Sequence, residues 1–278
     1  MSMECRRILT VQDISCVGQC SMTVVLPVLS ACGHETCALP SAVLSTHTGG
    51  FSTPVKQDLT GLMSQIMEHW TKEEIDFDAI YTGYLGSAAQ IATVRAIFAR
   101  LKAKGGVTVV DPVMGDHGKL YKGFDESFIL KMKELCCAAD IIIPNITEAC
   151  MLTGHIYREN YDEAYIGELV AKLSQLGAGS IVLTGVSFDP EKTGVMVWEN
   201  GKAEYYAHNK ILKSYHGTGD LFAAALVGGY MRGKTLTEAA AIASEFVASC
   251  IHKTYEEPAH WYGVRFEAVL PELMEKLK

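Results

Sequence analysis

Residues 106–145, GVTVVDPVMGDHGKLYKGFDESFILKMKELCCAADIIIPN, decide the fold class. The stretch begins with a β-branched apolar run, GVTVVDP, and ends with a second one, ADIIIPN. Continuous apolar runs are typical of parallel strands that are covered on both faces. Between them, ESFILKMKELCCA has the apolar spacing of an amphipathic helix. A strand, a helix and a second strand in this order predict one unit of a parallel sheet.

The same alternation continues on both sides of this stretch. Further buried strands are predicted at RILTVQD (residues 7–13), DAIYTGYL (78–85) and GSIVLTG (179–185). Helical spacing is found in residues 55–70, 87–106, 165–179, 221–232 and 235–254. We therefore predict an α/β fold in which a mostly parallel sheet with flanking helices forms three α/β/α layers.

Residues 192–208, KTGVMVWENGKAEYYAH, depart from this alternation. Their pattern predicts an antiparallel hairpin that turns at Asn200-Gly201, because this dipeptide favours the tight turn of a hairpin. The chain contains no Pro/Ser-rich linker, low-complexity tract or internal repeat. We therefore predict a single domain over residues 1–278.

The composition narrows the class of partner. The chain has 278 residues, and 49% of them are hydrophobic, which is enough for a sizeable core. A formal net charge of −8 without any run of Lys or Arg argues against nucleic acid and favours a small-molecule partner. The nine cysteines show no C-x-x-C spacing and predict buried thiols in a reducing cytosol. No apolar leader and no membrane-spanning segment is apparent, so we expect a cytoplasmic protein without membrane contact.

Polar residues follow the predicted strands. In open α/β sheets, ligands bind beyond the carboxyl ends of the strands, so these residues are the first candidates for a site on one rim of the sheet. They are Asp13, Ser15, Tyr84, Asp111, Asp116, Asn145, Glu148, Thr184 and Asp220.

A glycine turn precedes Asp220. Gly217, Thr218 and Gly219 lead directly into an apolar helix, and their N–H groups with the first free N–H groups of that helix can bind an anion. Asp220 is an ordinary helix-capping carboxylate on one interpretation. On the other, a carboxylate beside an anion cradle suits phosphoryl transfer from a nucleotide to an alcohol, in which the acid accepts the hydroxyl proton.

Common nucleotide and hydrolase signatures are missing. The chain has no G-x-x-x-x-G-K-S/T sequence, and no G-x-G-x-x-G sequence follows the first strand. It also lacks zinc-site spacings, a G-x-S-x-G elbow and a protein-kinase H-R-D loop. These absences argue against P-loop and Rossmann interpretations.

Four motifs in order resemble the ribokinase superfamily, and most closely its pyridoxal kinase branch. They are STHTGG (45–50), DPVMGDHGKLY (111–121), PNITEA (144–149) and GTGDLFAA (217–224). The resemblance covers nearly the whole chain and implies a ribokinase-like fold. It also implies ATP-dependent phosphorylation of the 5′-hydroxymethyl group of pyridoxal, pyridoxine or pyridoxamine, in a homodimer with Mg²⁺.

The resemblance assigns roles to the matching residues. It makes Asp220 the catalytic base, with Gly217, Thr218 and Gly219 as the anion hole. On the nucleotide side it implies contacts from Asp111, Tyr121, Asn145 and Thr184, and Mg²⁺ held by Asp116 and Glu148, often through water. Two alternatives stay open: residues 145–148 are also compatible with an ordinary helix start, and Asp111 and Asp116 with a turn.

On the vitamin side, Thr48 and Tyr84 match positions at which the family contacts the pyridine ring. A buried core tyrosine is the alternative for Tyr84. The segment QDISCVG (12–18) is about two residues shorter than the QSH…G segment of many pyridoxal kinases, so both Asp13 and Ser15 are candidates for the ring contact. GDHGKLYKGF (115–124) is the candidate for the loop that covers the nucleotide.

Three other functions are open to this sequence. A hydroxymethylpyrimidine kinase shares the fold and chemistry, but such enzymes commonly carry cysteine at the position of Asp220. Sugar kinases of the superfamily usually have an additional β lid, for which residues 31–53 leave little room. A non-catalytic vitamin- or nucleotide-binding regulator would not need the base.

Overall fold

A computed structural model describes residues 5–211, 213, 215–257 and 259–278. Its main sheet has the order β11-β10-β9-β8-β5-β4-β1-β2-β3. The strands are β1 (Arg7–Ser15), β2 (Glu35–Leu44), β3 (Lys56–Asp58), β4 (Phe77–Thr82), β5 (Lys102–Val110), β8 (Ile141–Ile142), β9 (Ser180–Val186), β10 (Lys192–Glu199) and β11 (Lys202–Asn209). A separate small hairpin consists of β6 (Gly115–Asp116) and β7 (Lys119–Leu120).

Helices cover both faces of this sheet. One face carries α2 (Thr60–Lys72), α3 (Ala88–Leu101), α4 (Glu126–Cys136), α5 (Ile146–Thr153) and α6 (Glu163–Ser174), whose apolar side chains form one buried cluster with the sheet. The other face carries α1 (Met22–Ala31), α7 (Thr218–Met231), α8 (Leu236–Tyr255) and α9 (Leu270–Lys276), which form a second cluster. The predicted three-layer α/β fold with flanking helices is therefore confirmed.

The pairing of the strands confirms the mostly parallel sheet. Strands β9, β8, β5, β4, β1 and β2 run parallel, whereas β3 at one edge and the β10–β11 hairpin at the other are antiparallel to their neighbours. From β1 the chain goes to β2 on one side and then to β4 on the other. This reversal opens a crevice at the carboxyl end of β1, the usual place for a ligand in such sheets.

Strand β2 and helix α1 were not predicted from the sequence, and both contain a proline. Strand β2 contains Pro40, and β3 pairs with the last three residues of β2 alone, so Pro40 lies where the outer side of β2 has no neighbouring strand. Proline is tolerated there because its missing N–H is not needed for a ladder. Helix α1 contains Pro27, and its apolar residues pack onto α7. Tertiary packing therefore outweighs the local signal in both elements.

Two predicted boundaries are also wrong. The helical pattern of residues 55–70 includes β3, and α2 begins only at Thr60, because Asp58 Oδ1 accepts a hydrogen bond of 2.9 Å from the Thr60 N–H and forms a turn. The pattern of residues 87–106 likewise ends early, since α3 stops at Leu101 and β5 begins at Lys102.

The β6–β7 hairpin occupies most of the candidate covering loop. Its turn has positive φ at His117 (49°) and Gly118 (73°), as a tight hairpin turn requires. Asn145 Nδ2 donates to the carbonyl of Gly115 at 2.9 Å, and the Gly118 N–H donates to Thr147 Oγ1 at 2.9 Å. These bonds hold the hairpin against the start of α5.

All nine cysteines are free thiols. Five of them are buried as predicted, but Cys5, Cys16 and Cys137 are exposed and Cys37 is half-buried. Among the helices of the described residues, none has both the length and the apolar character needed to cross a membrane. The expectation about the start of the chain falls partly on residues 1–4, which lie outside the described residues.

Candidate active site

The glycine turn shapes the start of α7. Gly217 has φ 82°, and a Cβ at this position would lie 2.0 Å from the carbonyl oxygen of Gln19, so only glycine fits there. The N-cap position of α7 is Gly217, which has no side chain to cap the helix. At Gly219, in contrast, a Cβ would meet nothing within 4 Å. The first N–H groups of α7 therefore lie beside open space, where an anion can bind them.

Asp220 lies in the first turn of this helix. Its Oδ2 accepts a hydrogen bond of 2.9 Å from the backbone N–H of Ser21, which comes from the loop after β1. Burial raises the pKa of Asp220 to about 6, the Ser21 N–H opposes this rise, and the charge of Asp13 adds to it. A carboxylate with such a pKa is ionised at neutral pH and is a stronger proton acceptor than an ordinary aspartate.

Asp13 and Ser15 lie together at the carboxyl end of β1. Asp13 is 4% exposed. Its Oδ1 accepts a hydrogen bond of 2.6 Å from Ser21 Oγ, and its Oδ2 accepts one of 3.1 Å from Ser15 Oγ. Burial raises the pKa of Asp13, whereas these two hydroxyl groups lower it. The structure thus brings both candidates of the first strand next to Asp220 through Ser21.

Ser21 is a site residue that the sequence analysis missed. A serine before an apolar helix is the ordinary sign of a helix cap. Ser21 precedes α1 in this way, yet its side chain makes no capping hydrogen bond and turns to Asp13 instead. The sequence shows a serine before an apolar helix, but this pattern indicates a helix cap and not a contact with Asp13.

Tyr84 lies on the Asp13 side of the site. Its half-buried ring packs near Phe124, with centroids 5.7 Å apart. Burial raises the pKa of Tyr84, and the charge of Asp13 raises it further. Lys56 Nζ, from β3, lies 5.8 Å from the ring centroid, and its charge also reaches Asp13. Lys56 was missed because β3 was missed.

The loop of residues 45–50 lies next to the glycine turn. Buried His47 is fixed by a contact of 2.7 Å between its Nε2 and the carbonyl of Tyr262. The backbone at Gly49 lies so close to the ring of His216 that a Cβ would be 2.3 Å from it. Thr48 is exposed in this loop, and its contact with the vitamin ring stays a prediction.

Acidic groups face one another on the other side of Asp220. Burial raises the pKa of Asp111 well above its usual value, and the charges of Glu148 and Asp220 raise it further. The hydroxyl of Tyr121 lies in the same field, because burial and then Glu148, Asp116, Asp111 and Asp220 raise its pKa. The acids predicted on the nucleotide side are therefore close to Asp220.

Glu148 and Asn145 form the start of α5. Asn145 Oδ1 accepts from the Glu148 N–H at 2.9 Å, and Glu148 Oε2 accepts from the Asn145 N–H at 2.9 Å. Glu148 Oε1 accepts from the Met114 N–H at 3.0 Å. Burial raises the pKa of Glu148 to about 7 against these N–H groups. The ordinary helix start is thus present as a capping box, while the metal role stays a prediction.

The remaining two candidates lie at the edges of this group. Thr184, near the end of β9, pairs with Asn145, and its N–H donates to the carbonyl of Pro144 at 2.9 Å. Asp116 is exposed in the β6–β7 hairpin, where its Oδ1 accepts from the His117 N–H at 2.7 Å. Both therefore lie near the start of α5, and their nucleotide and metal contacts stay predictions.

The acids fit a nucleotide-bound Mg²⁺ ion. In the part of the chain that the structure describes, no group of three or more His, Cys, Asp or Glu residues could hold a metal by itself. Mg²⁺ needs only one or two protein carboxylates, since waters and phosphate oxygens complete its octahedron. Asp111 and Glu148 repel each other while both are ionised, and a cation would relieve this repulsion. Glu148, whose oxygens already accept N–H groups, would reach the ion through water.

Comparison with known proteins gives consistent matches. A family model described as phosphomethylpyrimidine kinase matches residues 26–263. A Bacteroides thetaiotaomicron crystal structure described by the same activity, in a form with pyridoxal, is 36% identical over 97% of this chain and 96% of its own, with a TM-score of 0.91. The crystal structure of pyridoxal kinase from Lactobacillus plantarum is 32% identical over 97% of both chains, with a TM-score of 0.90. Pyridoxal kinase of Arabidopsis thaliana is 27% identical over 90% of this chain and 83% of that protein.

Proposed function

The chain belongs to the phosphomethylpyrimidine kinase family of the ribokinase superfamily, and we propose that it is a pyridoxal kinase. It would transfer the γ-phosphoryl group of ATP to the 5′-hydroxymethyl group of pyridoxal, pyridoxine or pyridoxamine. The observation that carries this proposal is Asp220, a carboxylate with a pKa of about 6 beside the open glycine turn of α7. Most relatives named above are pyridoxal kinases.

Asp220 would accept the proton of the reacting hydroxyl. As the proton moves to the Asp220 carboxylate, the vitamer oxygen bonds to the γ-phosphorus, the bond from that phosphorus to the β–γ bridging oxygen breaks, and ADP leaves. The N–H groups of Gly217, Thr218 and Gly219 would stabilise the charge on the phosphoryl group. Mg²⁺ supplies neutralisation of the phosphate charge when it is bound with ATP.

The two substrates would lie on opposite sides of Asp220. Asp13, Ser15, Thr48 and Tyr84 would contact the vitamer, whose flat ring suits the exposed part of the tyrosine face. Asp111, Tyr121, Asn145 and Thr184 would contact ATP, with Asp116 and Glu148 on the Mg²⁺ side. The acids that raise one another's pKa at this end support a bound cation.

A hydroxymethylpyrimidine kinase is the second candidate. The family model is described as phosphomethylpyrimidine kinase, a related phosphoryl transfer that would use the same anion cradle. The aspartate at position 220, where such enzymes commonly carry cysteine, favours the vitamin B6 reaction.

A substrate comparison tests the proposal. Purified protein is supplied with MgATP and, in parallel, with pyridoxal, pyridoxine, pyridoxamine and hydroxymethylpyrimidine, and kcat/KM is measured by coupled ADP release. We expect at least one B6 vitamer to exceed the pyrimidine by about tenfold or more, because a single favourable interaction in a substrate pocket changes selectivity by that order. A preference for the pyrimidine would replace the proposal with the second candidate.

We further propose a homodimer that works in the cytoplasm. Nine free thiols support a reducing compartment, and the dimer follows from the family resemblance. Light scattering during size-exclusion chromatography should give twice the chain mass at micromolar concentration, and a mass of one chain would contradict the dimer.

A further inference from the structure

Ser21 connects the two carboxylates on the vitamer side of the site. Its hydroxyl donates to Asp13 Oδ1 at 2.6 Å, and its backbone N–H donates to Asp220 Oδ2 at 2.9 Å. Ser21 is 6% exposed, so both bonds lie away from bulk water. One residue thus fixes a carboxylate at the end of β1 relative to another at the start of α7.

The backbone at Ser21 is one that glycine adopts more easily. Its φ is 54° and its ψ is −134°, in a region that side chains with a Cβ rarely occupy. The serine does not cap α1, although it stands at the capping position. Serine at position 21 is therefore explained neither by its backbone conformation, which favours glycine, nor by capping of α1. What the side chain adds is the bond to Asp13.

We propose that Ser21 is a positioning residue for phosphoryl transfer, which holds Asp13 through its hydroxyl and the base Asp220 through its N–H. The vitamer ring at Asp13 and the reacting hydroxyl at Asp220 are thereby aligned as one unit. This inference rests on the proposed function, because it assigns Asp220 the role of base. The geometric contribution is orientation, and a displacement of about 1 Å in such a unit can cost a factor of 10² in rate.

Replacing Ser21 by glycine separates positioning from structure. Ser21→Gly keeps the N–H that binds Asp220 and relieves the positive φ. It removes the hydroxymethyl side chain, and with it the hydrogen bond to Asp13. We expect a Tm close to that of wild type, because the relieved backbone strain offsets the lost bond to buried Asp13. We also expect a kcat that is about 10 to 100 times lower and a KM for ATP within about twofold of wild type. Ser21→Gly with wild-type kcat would overturn the inference, since a purely structural serine would be replaced by glycine without loss.

Glu74 provides the matched control. It is an exposed residue with the same φ of 54°, at the end of α2 and outside the residues assigned to the site. Glu74→Gly relieves the same kind of backbone strain, so it should match or exceed the wild-type Tm and leave kcat unchanged. If Glu74→Gly lowered kcat as much as Ser21→Gly, the effect would come from backbone flexibility and the inference would fail.

The pH profile gives a readout that a structural role would not move. Several groups face Asp220: Asp13 from β1, Cys20 beside Ser21, Tyr81 from β4, Asp111 after β5 and Tyr121 after β7. Asp13→Asn removes the charge that, after burial, raises the pKa of Asp220. The acidic limb of kcat should therefore move to lower pH, and an unmoved limb would contradict the coupling.

A double-mutant cycle measures the same coupling without any substrate. Asp13→Asn and Asp220→Asn are combined, and unfolding is followed at pH 8. The two carboxylate charges repel each other, so each substitution should stabilise the fold less in a chain that already carries the other substitution. Ser21→Gly frees the Asp13 side chain and should therefore reduce the interaction energy between positions 13 and 220. An interaction unchanged by Ser21→Gly would overturn the inference. A wild-type enzyme inactive on every B6 vitamer would instead contradict the proposed function, and the cycle would still decide the role of Ser21.

Discussion

The surroundings of Asp220 raise its pKa. This makes the carboxylate a better proton acceptor but makes its negative charge less favourable in the folded chain. Asp220→Asn keeps the shape of the side chain and an oxygen that can accept the Ser21 N–H. It cannot accept the substrate proton, so kcat should fall about 10²- to 10⁴-fold, while the affinity for ATP is retained. Steady-state kinetics and calorimetric titration with an ATP analogue measure the two quantities. A nearly normal kcat in Asp220→Asn would mean that Asp220 has only a structural role at the start of α7.

The same substitution should stabilise the fold, in a pH-dependent way. The pKa of Asp220 is about 6 in the folded chain against 3.8 for an ordinary aspartate. Above pH 6 the folded state therefore carries an unfavourable charge, and Asp220→Asn should increase the free energy of unfolding by about 1–2 kcal/mol after allowance for solvent screening. Between pH 6 and 4 the folded wild type takes up the proton and regains this stability.

Urea unfolding at pH 8, 6 and 4 tests the sign. The advantage of Asp220→Asn should be largest at pH 8 and should disappear near pH 4, because the acid is then protonated in the folded state. An advantage that is equal at all three values would mean that burial does not raise the pKa of Asp220. Loss of activity together with a gain in stability is the pattern expected of a residue kept for catalysis.

At the scale of elements, the capping box of α5 joins the sheet edge to the β6–β7 hairpin. Asn145→Ala removes the cap of α5 and the bond to the Gly115 carbonyl. We expect a loss of about 1–3 kcal/mol of stability and a KM for ATP raised about tenfold, because the hairpin and Glu148 lose their fixed positions. Thermal unfolding and ATP saturation kinetics measure both.

The capping box of α8 is the control for this prediction. Thr235 and Glu238 make the same pair of bonds at the start of α8. The full length of α7, about 20 Å, separates them from Asp220. Thr235→Ala should therefore lower the stability by a comparable amount and leave the KM for ATP unchanged. If the KM for ATP were the same in the two variants, Asn145 would act only as the cap of α5.

The elements differ in how far the sequence could predict them. The buried strands around residues 106–145 were predictable because both of their faces are apolar. Strand β8 nevertheless has only two residues that pair with its neighbours β5 and β9, because the ends of a strand depend on which residues pair and not on how apolar they are. The placement of the candidate site residues was predictable where a residue lies at the carboxyl end of a strand, as Asp13 does in β1 and Asp111 does directly after β5. Ser21 was not, because its N–H meets Asp220, 199 residues away, and no local pattern contains that contact.

At the scale of the whole molecule, the two apolar clusters share their strands. Ile141 and Ile143 belong to the cluster of α1, α7, α8 and α9, whereas Ile142 between them belongs to the cluster of α2–α6. Successive residues of a strand point to opposite faces, so each strand contributes to both clusters. Loss of one cluster would leave the other without half of its sheet support. The predicted single domain therefore implies that both clusters unfold together.

One truncation in each cluster tests this cooperativity. Phe246→Ala in α8 and Met132→Ala in α4 each remove a side chain that is at most 2% exposed, and each should cost about 2–5 kcal/mol. Trp70 and Trp198 pack against the cluster that contains Met132, so in a Trp261→Phe background, which removes the third tryptophan, the fluorescence reports on that side. If the chain is one domain, Phe246→Ala shifts the fluorescence transition and the far-ultraviolet circular dichroism transition by the same amount. A fluorescence midpoint that stays at the wild-type value in Phe246→Ala would divide the chain into two units, because the tryptophan side would then unfold independently of α8.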